Sequence, residues 1–172
     1  MKESQFSLKS IDLNKLPVFA SDLQNVDLNL KPFHRSVAII WIPQKQKFVT
    51  YDRFDGLLRF PGGHLEKNED LIQTASRETE EEVGLKGLKF QKYLDSCHLF
   101  YERNGLPDYC LEHYFWFDCD YQNWLQKTPE ETGMRAILAD SKEILTIQKF
   151  VQYPWLVNLC GSQTEKYVIN TI

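Results

Sequence analysis

Residues 63–85 read GHLEKNEDLIQTASRETEEEVGL and set acidic side chains at spacings that allow them to act together. On a helix at about 100° per residue, Glu78, Glu81 and Glu82 stand at i, i+3 and i+4 and share one face. Leu71, Ile72, Ala75, Thr79 and Val83 form an adjoining face that can pack on a sheet, Arg77 lies beside the acids, and Glu80 points towards solvent. Like charges at these spacings repel by a few tenths of a kcal/mol on an exposed helix, and by more when desolvated. A hard divalent cation reverses the sign of that interaction. Magnesium takes oxygen ligands, keeps several waters and bridges to substrate phosphates, so the cluster makes sense as a magnesium site, with manganese as a substitute. The Gly62-Gly63 pair just ahead allows close backbone approach and offers a carbonyl ligand.

The acids need a scaffold, and the rest of the chain supplies one. Arg35–Ile42 is β-branched and apolar and reads as a core strand ended by Pro43. Lys47–Arg53 reads as its hairpin partner. Leu57–Phe60 reads as a short strand running into the breaker Pro61-Gly62-Gly63. For the following helix, Asn68 is the expected N-cap, Glu69 and Asp70 the expected first-turn acids, and Gly84 the expected stop. Residues 87–101 and 109–117 read as strands separated by a loop through Asn104-Gly105 and Pro107-Asp108. Ala136–Leu138 reads as a last core strand, and Ser141–Gln152 as a helix that Pro154 ends or kinks. Mixed elements without a regular βαβ rhythm point to an α+β layered domain.

A glutamate run alone also fits a solvated helix face. The offsets around it separate the two readings. At average residue usage, glycine, glutamate, Arg-Glu, Glu-Glu and glycine at these spacings coincide with odds on the order of one in 10⁸ per starting position. Gly63, Glu69, Arg77, Glu78, Thr79, Glu81, Glu82, Gly84 and Leu85 resemble the Nudix box, G-x5-E-x7-R-E-U-x-E-E-x-G-U, with U a bulky apolar residue. The lead-in Phe60-Pro61-Gly62-Gly63-His64 is similar to the family too. Thr79 at a U position is the one departure, and its methyl can still face a sheet.

The resemblance implies a Nudix-type α/β/α sandwich with a central mixed sheet and the box as loop–helix–loop beside it. It implies a diphosphohydrolase in which water attacks phosphorus of a nucleoside diphosphate linked to another moiety, X. Glu81 and Glu82 would be the main metal ligands, and Glu78 a ligand or the acceptor of the water proton. Arg77 would hold those carboxylates, the carbonyl of Gly62 or Gly63 would complete the shell, and Glu69 would fix the loop. The family often adds a late acid. Glu130 and Glu131, ahead of Met134–Leu138, are the first candidates and Glu112 the next, each against the alternative of an ordinary loop or sheet acid.

Other residues have a functional and a bland reading side by side. Arg53 and Arg59 flank the turn before the box and are candidates for gripping phosphate, or else solvated arginines. Tyr114 and Trp116 share a strand face suited to a base or to core packing. His64 and His113 are alternative bases or packed side chains.

The 172 residues suit one domain, with residues 1–33 as an extension, 34–160 as the domain and 161–172 as a tail. A net charge of −4 gives no general attraction to nucleic acid or anionic membrane, and it argues against RNA-end processing. No apolar run approaches the roughly 20 residues of a membrane span, and MKESQFSLKS lacks a signal core. Cys97, Cys110, Cys119 and Cys160 form no C-x-x-C pair, which points away from zinc and towards free, buried thiols in a reducing cytoplasm. The expected partner is a small nucleoside diphosphate derivative, and the chain is expected to be a monomer or homodimer. The competing function is a non-catalytic Nudix-fold module that senses nucleotide derivatives; degenerate acidic positions would favour it, and here they are intact.

Overall fold

In a computed structural model, which describes residues 11, 12, 16, 18–20, 31–104, 106–128 and 131–145, the apolar run from Val37 to Ile42 is buried at every position. A strand without polar alternation must have both faces covered. It lies accordingly inside a seven-stranded sheet. The elements in chain order are β1 (Val18–Ala20), β2 (Phe33–Ile42), β3 (Lys47–Asp52), β4 (Gly62–His64), α1 (Leu71–Val83), β5 (Lys89–Arg103), β6 (Leu106–Asp118), α2 (Tyr121–Leu125), β7 (Arg135–Ala139) and α3 (Ser141–Leu145).

The strand order is β1-β5-β6-β2-β3-β7, with β4 on the remaining stretch of β2. β1 with β5 and β2 with β6 are parallel, and the other pairs antiparallel. β2 therefore forks. Its first half pairs with β4 at Arg35–Val37, and its second half with β3 at Ile40–Ile42. The glycine loop ahead of α1 is seated in that fork.

The two faces follow the period-two alternation of the strands. Ala38, Ile40, Ile42, Phe115 and Phe117 pack beneath Leu71, Ala75 and Val83 of α1, and Tyr121 and Trp124 of α2 join this side. Val37, Ile39, Trp41, Phe48, Tyr114 and Trp116 face the other way and are met by Ile144 of α3. Helices thus cover both faces of a mixed sheet, as expected. Tyr114 and Trp116 are core residues, 2% and 4% exposed.

Several expectations are corrected. Leu57–Phe60 contributes only the bridge Tyr51↔Arg59, and the short strand is β4, formed by the glycines themselves against β2. The sequence between β5 and β6 is shorter than a loop through Asp108. Arg103 pairs directly with Leu106, and Asn104 takes the left-handed φ of 55° that asparagine tolerates. Without bearing on the expected domain bounds, Val18–Ala20 forms a short strand on the sheet and Phe33 begins β2. Among the described residues β7 pairs with β3 alone, at the edge. α2 was not anticipated. The predicted helix starts at Ser141 as expected, while positions 146–152, Pro154 and Cys160 lie outside the described residues. Cys97, Cys110 and Cys119 are buried thiols.

The sheet buries a polar chain. The Tyr93 hydroxyl meets Ser96 Oγ at 2.8 Å, Ser96 Oγ meets His113 Nδ1 at 2.6 Å, and His113 Nε2 meets His34 Nδ1 at 3.0 Å. One imidazole must donate to the other, so charging both would set N–H against N–H. Burial, then the neighbouring His34, lower the His113 pKa to about 3, and burial lowers that of His34.

Two stability predictions follow from this frame. His113 is neutral in the folded state while an unfolded histidine protonates near 6.5, so its contribution is complete above pH 6.5 and is lost as pH falls towards 3. At about 1.4 kcal/mol per pH unit, His113→Gln, though less stable at pH 7.5, should show a fall in unfolding free energy between pH 7.5 and 5 that is about 2 kcal/mol smaller than wild type, read by urea melts. Gly84 caps α1 at φ 69°, and an added Cβ would meet the carbonyl of Thr128. Gly84→Ala should lower stability by about 2 kcal/mol or more, measured the same way.

Candidate active site

α1 begins later than Asn68 suggests. Asp70 is the N-cap: its carboxylate accepts from the backbone of Ile72 at 2.9 Å and Gln73 at 2.8 Å, and Gln73 Oε1 accepts from Asp70 N–H at 2.9 Å. This reciprocal capping box outcompetes a lone N-cap asparagine. Asn68 instead turns the chain at φ 72°, and Glu69 and Asp70 precede the helix rather than filling its first turn.

With the start fixed at Leu71, the helical period carries the glutamates to the β2–β4 fork. Glu82 is the deepest, 5% exposed. It accepts from the Tyr51 hydroxyl at 2.9 Å and from Gly62 N–H at 2.9 Å, and Arg53 Nη2 stands 3.6 Å away. Glu78 lies one turn earlier with its side chain 15% exposed. Its carboxylate fills the space where a side chain on Gly63 would be, so only glycine allows the loop and the helix to approach this closely. Glu81 is outermost, its side chain 53% exposed. Glu80 points away as expected and pairs with Lys86.

Arg77 ties the group together. Its Nε donates to Glu69 at 2.8 Å, Nη1 to Glu78 at 2.9 Å and Glu81 at 3.0 Å, and Nη2 to the carbonyl of His64 at 3.0 Å. Glu69 also accepts from Thr74 Oγ1 at 3.0 Å. Glu69 therefore acts on the loop and on Arg77, and its charge is held below the usual carboxylate range chiefly by that arginine. Hydrogen bonds to Glu69 and then Glu78 raise Arg77 further, so it stays charged throughout.

A second set of residues reaches the glycine loop from the sheet. Arg35 Nη2 donates to the Gly62 carbonyl at 2.8 Å, and Nη1 donates to Glu112 at 3.0 Å. Glu112 is 1% exposed and also accepts from the Tyr114 hydroxyl. Arg35 was not singled out in the sequence, and Glu112 ranked behind Glu130 and Glu131. The available signal was an acid inside the apolar run of β6, whose register partner on β2 is Arg35.

Burial is the main influence on the two inner acids. Desolvation raises the pKa of Glu78 against the pull of Arg77, and raises that of Glu82 against its hydrogen bonds to Gly62 and Tyr51. Burial and the charge of Glu82 push Tyr51 up to about 12, so its hydroxyl remains a donor. Among the described residues no three His, Cys, Asp or Glu side chains already converge as a cation site. Arg77 draws Glu78 and Glu81 to one side, while Tyr51 and Gly62 hold Glu82 on the other.

The remaining candidates divide. Arg53 is brought to the acids. Arg59 turns back onto Asp55, at 2.9 and 2.6 Å, and is not brought to them. Glu131 is exposed in the loop before β7, and Glu130 lies outside the described residues. His64 is exposed at the loop, its ring edge-on to Phe33 at 4.4 Å, while His113 is engaged in the buried chain.

Comparison with known proteins agrees with this geometry. Among curated proteins no sequence matches the chain. A Caenorhabditis elegans Ap4A hydrolase shares the fold at 18% identity and a TM-score of 0.55, over 77% of this chain and 98% of that one. A NUDIX hydrolase from Nitrosomonas europaea is 26% identical with a TM-score of 0.53, over 77% of this chain and 88% of that one. The NUDIX domain family matches residues 32–156, from the start of β2 past α3 and across every carboxylate described above, so the chain belongs to the NUDIX domain family and is a Nudix hydrolase.

Proposed function

We propose that the protein hydrolyses a diphosphate linkage in a nucleoside diphosphate derivative, using magnesium held by Glu78, Glu81, Glu82 and Glu112. The observation that carries this reading is that Glu78 and Glu82 lie against the glycine loop at the β2–β4 fork, where Gly63 leaves room for Glu78. The residues fit a hard divalent cation by their donor chemistry. All donors are oxygens, and the two inner carboxylates are desolvated and incompletely compensated by the cations beside them. A magnesium ion there would polarise the phosphoryl oxygens and make water more acidic; manganese would substitute.

The chain's own residues supply the remainder. Arg53 lies beside Glu82 and neutralises charge on the phosphates as they enter. Water adds to phosphorus, its proton passes to a carboxylate, and the bridging P–O bond breaks to release a phosphate monoester. Where Glu78 does not itself ligate the ion it takes that proton, burial raising its pKa. Arg77 keeps Glu78 and Glu81 oriented, and Tyr51 and Gly62 orient Glu82. Glu112 is favoured as the late acid over Glu131 because Arg35 connects it to the Gly62 carbonyl. We assign no phosphate-gripping role to Arg59, which Asp55 engages.

Phosphate-monoester release from a panel of nucleoside diphosphate derivatives, with and without magnesium, tests the activity; binding across the panel without turnover would favour a sensor. Glu82→Gln should lower kcat by on the order of 10²–10³-fold with little change in thermal stability, and unchanged turnover would remove Glu82 from the site. Glu112→Gln should lower kcat far more than Glu131→Gln, measured on the best substrate of the panel. The reverse order would return the late-acid role to the loop before β7.

A further inference from the structure

The loop between β3 and β4 displays groups that the carboxylate site leaves unused. Phe54 is 67% exposed, next in sequence to the Arg53 that reaches Glu82. An exposed phenylalanine forgoes burial, and this one also sits at φ 61°, a left-handed conformation unfavourable for a residue with a side chain. The loop enforces both. Asp52 Oδ1 accepts from the backbone of Asp55 at 3.0 Å and Gly56 at 3.2 Å, and Arg59 closes on Asp55. Phe54 is therefore held out by a fixed turn.

The same Asp52 places a cation against the ring. Its Oδ2 accepts from Arg135 Nη2 at 2.8 Å, and the Arg135 guanidinium lies 5.6 Å from the centroid of Phe54. An aromatic face and a planar guanidinium together suit a flat aromatic ligand. Arg53 and Arg135 each stand beside a carboxylate here, Glu82 and Asp52 respectively. Arg53, the residue before Phe54 in the chain, reaches Glu82 at 3.6 Å.

We propose that Phe54 and Arg135 form the platform on which the nucleobase of the substrate stacks, with Arg53 between the base and the scissile diphosphate. This rests on the reading of the carboxylates as a diphosphate site and adds a residue that sets substrate preference. It separates two parts of recognition: the carboxylates act on phosphate common to all diphosphates, and Phe54 favours those carrying a base.

The test is binding to the full chain without divalent cation, with ADP and inorganic pyrophosphate as probes, followed by calorimetry and by the resonances of Phe54. Stacking on one aromatic is worth about 1–3 kcal/mol, so Phe54→Ala should weaken ADP binding roughly 5- to 150-fold and leave pyrophosphate binding unchanged. Phe54→Trp should retain ADP. Equal ADP affinity in wild type and Phe54→Ala would overturn the platform. So would an equal loss for both probes, wild-type binding that does not distinguish them, or a dimer that Phe54→Ala dissolves, since the ring would then serve subunit contact. Turnover is read separately with magnesium: base-dependent ADP binding without release from any nucleotide would overturn the hydrolase reading and leave the platform standing.

Discussion

Carboxylates on one helix face, partly withdrawn from water, oppose their own ionisation, and the surrounding structure is arranged around that opposition. Glu78 and Glu82 are both shifted towards the protonated form by burial. Each unit of such a shift is about 1.4 kcal/mol against the charged state. Two separate means keep the group usable. Arg77, with guanidinium nitrogens on Glu69, Glu78 and Glu81, supplies charge from the solvent side. Tyr51 and the Gly62 amide supply neutral dipoles from the sheet side. Neither fully offsets desolvation, and under the proposed function the residual negative potential would attract a divalent cation.

That constraint explains the backbone as well as the side chains. Glu82 can be 5% exposed because Gly62 turns an amide towards it, and that amide is available because β4 leaves β2 free to fork. Glu78 can sit beside the loop only because Gly63 has no side chain. The Asp70 capping box sets where the helix starts and so the angular phase of residues 78, 81 and 82. A start moved by one residue would rotate all three by about 100°. The cap is remote from the acids, yet it decides which way they point.

How much of this could be read from residues alone follows from the range of each interaction. The box pattern is local: its spacings are those of one helix, so the acidic face, the apolar face and the Gly84 stop were legible. β2 was legible as an apolar, β-branched run, and β6 as the aromatic, β-prone run from Tyr109 to Phe117. Long-range pairings were not. Arg35 and Glu112 are 77 residues apart and meet only through the parallel register of β2 with β6. Asn68 and Asp70 are both good caps, and the partner three residues on, Gln73, decided between them. β4 was hidden because glycines carry no strand propensity, and it forms only since β2 offers an unpaired edge. Arg53 and Arg59 look alike in sequence, but the turn at Asp55 captures one and leaves the other facing Glu82.

The buried polar residues of β6 follow the same logic across the sheet. An acid and a histidine in adjacent positions of a central strand would each be destabilising without partners, and alternation sends them to opposite faces. Glu112 finds Arg35 and Tyr114, while His113 finds Ser96 and His34. The His34 backbone carbonyl also accepts from Leu65 N–H at 3.0 Å, just beyond the His64 carbonyl that anchors Arg77. The Glu112 chain therefore reaches the loop through the Arg35 side chain, while His34, at the end of the other chain, reaches it through its backbone. The loop is thus tied to β2 by the Arg35 side chain at the Gly62 carbonyl and by the His34 backbone carbonyl at Leu65 N–H.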